Sequence, residues 1–383
     1  MTLVAASEDL ARVCAKLART RYITVDTEFM RESTFWPRLC LVQLAGPDID
    51  VAVDVLAPGI DLAPMFALMQ NEAILKVFHA ARQDIEIFFY LTERIPTPLF
   101  DTQVAAMVCG FGDSVGYETL ASRLVGARID KSSRFTDWSR RPLSDRQVRY
   151  ALEDVTHLRT AYEKLSRRLH ETDREGWLDE EMAVLTSPST YESHPEHAWR
   201  RIKTRNAKPR FLAVLREVAA WREIEAQTRD VPRNWILRDE ALLEITAHLP
   251  RTPEELARVR GLGAKLASGG RGRALLEAVL RGEAVPENER PSLPPKKPKA
   301  AGIGPTVELL RVLLRLQCER HEVAQRLVAN VDELEQIAAD DNAPVRALSG
   351  WRREIFGEVA LDLKHGKIGL VIEDGHVEMI EPA

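Results

Sequence analysis

The segment Ile23-Thr24-Val25-Asp26-Thr27-Glu28-Phe29 places two carboxylates two positions apart behind an apolar, β-branched lead. In a strand, positions i and i+2 point to the same face, so Asp26 and Glu28 stand side by side. Two adjacent anions at the end of an otherwise apolar strand repel each other and are costly to desolvate unless a cation lies between them. Carboxylate oxygens suit Mg²⁺ or Mn²⁺. Taken alone, the pair also fits a strand end running out into solvent with both acids hydrated. Two more acids bear on the choice. Asp84 falls near the start of a helix that follows the apolar run Ile74-Leu75-Lys76-Val77-Phe78-His79. Asp154 follows Tyr150 by four residues, on one helix face. Each has a plainer reading: Asp84 as an acid complementing a helix N-terminus, and Tyr150 with Asp154 as a solvated face.

If these positions converge at one end of a sheet, four carboxylates and a phenol share one pocket. Four carboxylates cannot all stay ionised at close range without cations, and two divalent ions about 3.5–4 Å apart would neutralise them. Such a site suits phosphodiester hydrolysis. One ion lowers the pKa of a water, and the other stabilises the leaving 3′-oxygen. Tyr150 would hold the attacking water by a hydrogen bond. A phenol titrating near 10 is a poor general base at neutral pH.

The elements that must position these groups read as a mixed α/β domain. Residues 1–20 have a helical stripe. The Asp26 strand, Arg38–Ala45 and Asp50–Val55 form an antiparallel meander. A helix follows over residues 61–71, with Asp61 as N-cap. A buried strand, a helix carrying Asp84, and a last strand at Leu99-Phe100-Asp101 complete a five-stranded sheet. Ser144 caps the helix that carries Tyr150 and Asp154. Residues 197–280 and 306–370 are helical in pattern. Between them, five prolines from Pro286 to Pro298 and Lys296, Lys297 and Lys299 mark an extended linker.

Three motifs in this order resemble the DEDD superfamily of 3′→5′ exonucleases, in the subgroup with tyrosine in its third motif. They are similar most closely to the bacterial ribonuclease D family. The first is Val25-Asp26-Thr27-Glu28-Phe29, the second His79-Ala80-Ala81-Arg82-Gln83-Asp84, the third Tyr150-Ala151-Leu152-Glu153-Asp154-Val155. Phe100-Asp101-Thr102-Gln103 and Asp130-Lys131…Asp137-Trp138-Ser139-Arg140-Arg141 extend the likeness. Residues 205–282, with Trp221-Arg222 and Asp230-Val231-Pro232-Arg233-Asn234-Trp235, resemble a helicase-and-RNase-D C-terminal (HRDC) domain. Residues 305–375, ending in Leu348-Ser349-Gly350-Trp351-Arg352, resemble a second, diverged copy.

The resemblance implies a ribonuclease H-like nuclease domain over residues 1–190, two small all-α HRDC-like domains, and a linker over 283–304. It implies a metal-dependent 3′→5′ exoribonuclease acting on 3′ ends of tRNA precursors and other small structured RNAs. Asp26, Glu28, Asp84 and Asp154 would bind two divalent ions, and Tyr150 would complete the catalytic set. Asp26 would bridge the ions, and Glu28 would hold one. Thr27, Phe29, Arg82, Lys131 and Trp138 are candidate RNA contacts. His79 reads as a structural histidine. The alternatives are a DNA 3′→5′ exonuclease and a non-catalytic RNA-binding scaffold. Intact acids argue against the scaffold, and the HRDC-like tail favours RNA.

Composition is compatible with this. The chain of 383 residues is 45% hydrophobic and 29% charged, and its net charge of -5 provides no global attraction to nucleic acid. The basic residues are concentrated instead. Residues 123–149 hold eight Lys or Arg against three acids, and residues 197–238 hold eleven against four. Such patches neutralise phosphates. No G-x-G-x-x-G or Walker motif calls for a nucleotide cofactor. No run approaches the ~18–20 apolar residues of a membrane span. Four scattered cysteines without a C-x-x-C, and no signal-peptide pattern, fit a reducing cytoplasm. The family suggests a monomer. Removal of residues 290–383 is expected to weaken RNA binding more than it slows chemistry.

Overall fold

The computed structural model describes residues 3–127, 129, 136–206, 208–293 and 302–382. Lys131, a candidate RNA contact, lies outside the described residues, as do Arg128, Asp130, Arg134 and the linker lysines. The chain divides into two compact units. One comprises Met1–Glu28, Cys40–Thr190 and Lys297–Ala383; the other comprises Phe29–Leu39 and Tyr191–Lys296.

The first unit opens with a two-residue strand β1 (Leu3–Val4), then α1 (Ser7–Leu17), where the stripe over residues 1–20 predicts helix alone. Leu10, Val13, Cys14 and Leu17 form its buried face. Next come β2 (Tyr22–Met30), β3 (Arg38–Gly46), β4 (Ile49–Val53), α2 (Ala63–Met69), β5 (Leu75–Phe78), α3 (Arg82–Thr92) and β6 (Leu99–Asp101). The strands form one sheet in the order β1-β4-β3-β2-β5-β6, six rather than five. The extra strand is β1, which pairs parallel with β4 at the edge. β3 and β4 are antiparallel, and β2, β5 and β6 run parallel to one another. β3 is buried at every residue after Arg38, as expected of an apolar run covered on both faces.

Helices α4 (Thr102–Val108), α5 (Tyr117–Val125), α6 (Asp145–Glu171) and α7 (Asp179–Leu185) follow. The 27-residue α6 starts in a capping box between Ser144 and Gln147. Its buried side, through Val148, Leu152, Val155, Leu158, Ala161 and Leu165, repeats at three- and four-residue spacing.

The second unit is helical. It contains α8 (Pro209–Arg229), α9 (Arg233–Ile236), α10 (Asp239–His248), α11 (Pro253–Leu256), α12 (Ala264–Ser268) and α13 (Gly270–Ala284). Its own core gathers Phe35, Trp199, Leu212, Leu215, Trp221, Leu242 and Val279.

The C-terminal part of the first unit contains α14 (Gly304–Arg320), α15 (Gln325–Val328), α16 (Val331–Ala339), α17 (Gly350–Arg352), a π turn (Arg353–Gly357) and α18 (Glu358–Lys364). It ends in an antiparallel hairpin of β7 (Gly369–Glu373) and β8 (His376–Ile380), so the all-α expectation for this segment is corrected.

These C-terminal helices do not build a separate core. Leu310, Leu313, Leu314, Leu327, Val328, Ile337 and Phe356 join Ala105, Ala106, Met107, Val108, Leu165, Leu169 and Leu178 in one apolar cluster. The backbone is joined too, as the Ala324 N–H donates to the Met107 carbonyl at 2.9 Å. Gly110 sits at φ +78, and a Cβ there would lie 2.7 Å from the Glu322 carbonyl oxygen. Arg352, fully buried, donates to the Leu327 carbonyl at 2.5 Å and to Glu180 at 2.6 Å. Beside it Trp351 stacks on Trp177, centroids 4.1 Å apart and planes within 7°. Arg352→Ala leaves a buried carbonyl without its donor and a cavity behind it. It should cost about 2–4 kcal/mol, read as a lowered midpoint in urea unfolding; an unchanged midpoint would show the arginine to be dispensable.

Candidate active site

β2 carries Asp26 and Glu28 on one face, as their i, i+2 spacing requires. α6 packs against the sheet and presents Asp154. Each of the three acids offers one oxygen, and these oxygens all lie within 4.8 Å of one another. Asp26 and Glu28 are partly exposed and Asp154 is buried. They line a cavity of about 390 Å³ together with Thr27, Tyr117 and Tyr150.

Asp84, on the first turn of α3, is buried and accepts a hydrogen bond from the Thr27 hydroxyl. Electrostatics ties it to the same cluster. Burial, then repulsion from Asp154, holds the Asp26 carboxyl well above the usual range. Burial, then repulsion from Asp26, does the same for Asp84, offset in part by the Thr27 hydroxyl. Glu28 is pushed up to about 10 by burial and then by Asp26, Asp154 and Asp84. Among the described residues no Lys or Arg pairs with Asp26, Glu28 or Asp84. An oxygen-only, crowded anionic cluster of this kind fits a hard divalent cation.

Two contacts hold the turn of α6 that bears Asp154. The Thr24 hydroxyl, fully buried on β2, donates to the Val155 carbonyl at 2.8 Å. The Tyr117 hydroxyl donates to the Asp154 carbonyl. Both carbonyls lie inside a helix, so these are bonds added to the helical ladder and they set where that turn rests against β2 and α5. Tyr117 also meets the His79 ring edge-on, centroids 5.5 Å apart. His79 is half-buried and bonded through Nδ1 to the Thr102 hydroxyl at 3.0 Å.

A third contact holds the turn into α3. Asp101 accepts from the Ala80, Ala81 and Gln103 N–H groups at 2.8–2.9 Å. Ala80 is in the left-handed region at φ 55, an unfavourable place for alanine. The Asp101 carboxylate fixes that turn, and with it the start of the helix that delivers Asp84. Neither Tyr117 nor Asp101 was singled out from spacing as part of the site. For Asp101 the available signal was Asp101-Thr102-Gln103, an N-cap pattern at the head of α4; for Tyr117 there was none.

The remaining candidates separate. Arg82 is exposed on the first turn of α3. Phe29, the next residue of β2 after Glu28, is half-buried. Trp138 is only 2% exposed, its ring 6.2 Å from that of Tyr150, so it packs behind Tyr150 and offers no free face for stacking. Arg141, counted within the basic stretch 123–149, is turned inward. Its guanidinium holds both oxygens of Asp54 at 2.6–2.7 Å and the Cys40 carbonyl at 2.8 Å.

Comparison with known proteins bears on what this pocket does. The family model described as 3′-5′ exonuclease matches residues 1–170, and the HRDC domain model matches residues 211–279. The chain is 54% identical to ribonuclease D of Nitrobacter hamburgensis over 381 residues, 100% of both chains. It is 49% identical to ribonuclease D of Granulibacter bethesdensis, over 99% of this chain and 96% of that one. The crystal structure of Escherichia coli RNase D, described as an exoribonuclease involved in structured RNA processing, superposes with a TM-score of 0.78 at 30% identity. It covers 95% of this chain and 98% of that chain.

Proposed function

The chain belongs to the ribonuclease D family, and on that premise we propose how its pocket works. It is a 3′→5′ exoribonuclease with a ribonuclease H-like exonuclease domain and an HRDC domain. Asp26, Glu28, Asp84 and Asp154 hold two divalent ions, Mg²⁺ or Mn²⁺. The observation that carries this assignment is the set of three carboxylate oxygens within 4.8 Å of one another, in a cavity that Tyr150 also lines. When bound, such ions neutralise the carboxylates, acidify a water and stabilise a leaving alkoxide.

The chain's own groups do the rest. Thr27 orients the Asp84 carboxylate, and the Tyr150 hydroxyl aims the attacking water. The water oxygen bonds to phosphorus as it gives up a proton, the bond to the 3′-oxygen breaks, that oxygen takes up a proton to become the 3′-hydroxyl of the shortened RNA, and a nucleoside 5′-monophosphate leaves. Arg82, exposed two residues before Asp84, is assigned to a backbone phosphate. The substrates are RNAs with single-stranded 3′ ends, tRNA precursors and other small structured RNAs among them, acted on in the cytoplasm. The structured-RNA processing of the Escherichia coli relative supports this. Among the described residues no helix is long and apolar enough to cross a membrane.

We assign residues 305–375 as a second HRDC-like domain, diverged from 205–282. Helix lengths support it. α8, α9 and α10 have 21, 4 and 10 residues, and α14, α15 and α16 have 17, 4 and 9. α9 and α15 also end on extended caps, Leu237 at φ -162 and Ala329 at φ -154.

The test is hydrolysis of a 3′-tailed structured RNA and of matched DNA with Mg²⁺ or Mn²⁺, with Asp26→Asn and Asp154→Asn as controls. Stepwise 3′ shortening of the RNA, abolished by chelator, is expected. Preference for the DNA would make it a DNA exonuclease, and no mononucleotide release under either metal would leave a scaffold. Tyr117→Phe should lower kcat about 10-fold with KM unchanged, since small displacements of a catalytic group are costly. Folding stability should fall by only about 1 kcal/mol. A rise in KM with kcat intact would place Tyr117 on the substrate instead.

A further inference from the structure

The C-terminal hairpin leaves a strand edge open. Asp374 and Gly375 form its two-residue turn, with φ at 49 and 82, the type I′ geometry that suits the strand twist. Glu373 and His376 flank the turn as partners, and such a flanking pair exchanges both of its hydrogen bonds. Pairs alternate from there, so Ile372–Val377 and Leu370–Met379 do not bond to each other. Their N–H and C=O groups point away from the hairpin, those of Leu370 and Ile372 along the outer edge of β7. Among the described residues no third strand joins this sheet, and no backbone hydrogen bond from elsewhere reaches Leu370 or Ile372.

β7 lacks what usually blunts such an edge. Ile368-Gly369-Leu370-Val371-Ile372 holds no charge and no proline. Leu370 and Met379 rest on the apolar cluster that α14 helps to build. Ile372, on the same face, is 79% exposed, more than any other large apolar residue among the described residues. Charge is divided between the two ends of the strand. Lys367 precedes it, and Glu373 and Asp374 close it. Lys367 holds Asp362 at 2.9 Å, but its side chain is 69% exposed and its ammonium has further donors for a second carboxylate. Glu373 and Asp374 are exposed and make no ion pair among the described residues.

We propose that β7 is an interface at which a second copy of this chain adds its own β7, antiparallel about a two-fold axis through Val371. In that register Leu370 of each copy faces Ile372 of the other, and these are the residues whose backbone groups point outward. Each such pair exchanges two hydrogen bonds, and the exposed Ile372 gains Leu370 of the second copy as a cross-strand neighbour. Antiparallel order brings the acidic end of each strand to Lys367 of the other. The β8 edge is ruled out by charge. Its equivalent pairing, Val377 against Met379, sets Glu378 directly opposite Glu378 of the second copy, and like charges so placed repel. The product is a four-stranded sheet in the order β8-β7-β7-β8. Two five-residue strands bury less than the roughly 1,200 Å² of a lasting interface, so the dimer is weak and concentration-dependent. The interface is independent of the chemistry assigned to the carboxylate pocket, and it departs from the monomer that the family suggests.

Sedimentation velocity of the full-length protein should show monomer at low micromolar concentration and dimer by about 200 µM. Ile372→Lys should raise the dimer Kd about tenfold, because symmetry removes two cross-strand pairs at once and puts a charge on the edge. Ile224→Lys, at a residue 52% exposed in the helical unit, should leave that Kd unchanged. Disulfide trapping with oxidised glutathione reads the register, since the four native thiols are buried. Val371→Cys faces itself across the axis in a non-bonded pair, with Cα atoms about 4.5 Å apart, a separation a disulfide spans. It should give covalent dimer on a non-reducing gel, and Ile372→Cys, although more exposed, should give little. A protein still monomeric at about 200 µM overturns the interface. So does a dimer that Ile372→Lys leaves intact, one that Ile224→Lys weakens equally, or trapping at 372 in preference to 371.

Discussion

Asp154→Asn should cut turnover of an RNA 3′ end by about a thousandfold and, at the same time, raise the melting temperature of the metal-free protein. The first effect follows from losing one carboxylate that holds a divalent ion, worth roughly 4 kcal/mol of transition-state stabilisation. The second follows from the repulsion within the cluster. Asp154 raises the carboxyls of both Asp26 and Glu28. Glu28, with its folded pKa near 10, binds a proton in the folded state that it releases on unfolding. Its contribution to stability is therefore full below the ordinary glutamate pKa and is lost as pH rises toward about 10.

The metal-free wild type should accordingly melt at progressively lower temperature from pH 5 to pH 9. Replacing the acid by its neutral amide should flatten that slope and raise the midpoint at pH 8 by a few degrees, about 1–2 kcal/mol. Added Mn²⁺ should restore the wild type, more at pH 8 than at pH 6, and move the variant little. Calorimetry with and without chelator reads all of this. A metal-free wild type whose midpoint is flat from pH 5 to pH 9 would mean the acids are not crowded as described.

A chain ending at residue 301 should fail to fold its nuclease domain. The resemblance of residues 305–375 to an HRDC domain implies a separable unit, and so a removal of residues 290–383 that weakens RNA binding more than it slows chemistry. The shared apolar cluster reverses that expectation. Without α14 to α18, Met107, Val108, Leu165 and Leu169 lose their cover. Each buried side chain of this size is worth about 1.5–3 kcal/mol, so even half of the sum approaches the roughly 5–15 kcal/mol that holds a whole domain together. Gly110, cut to fit the Glu322 backbone, and Arg168, paired to Glu322 at 2.7 Å, lose their partners as well. The truncated chain should be insoluble or lack a cooperative melt. A soluble fragment with a wild-type melting temperature and full turnover at saturating RNA would instead make the C-terminal segment an accessory module.

Much of the site could be read before any coordinates. Asp26 and Glu28 share a face because side chains alternate along a strand, and Tyr150 and Asp154 because a helix repeats near four. These are local periodicities, set by backbone geometry, and they survive folding unchanged. Thr27 is a candidate substrate contact by its place between the two acids, and its hydroxyl goes to Asp84, a partner 57 residues away that strand periodicity cannot supply. Trp138 lies in a basic stretch and is a candidate RNA contact on residue type, which fits a core role equally well. Burial decided for the core, and burial is a property of the neighbours, not of the residue.

The residue types at positions 26, 28, 84, 150 and 154, their order, and the elements bearing them were determined by the sequence alone, since each depends on interactions within a few residues. Only the tertiary structure decided that Thr24 and Tyr117 set the turn bearing Asp154, that Asp101 holds the bend ahead of Asp84, and that Arg141 belongs to Asp54. It also decided that α14 to α18 complete the core of the nuclease. Each of these is a contact between residues far apart in the chain. An amphipathic stripe states that a face must be covered, and the three-dimensional packing alone states by what.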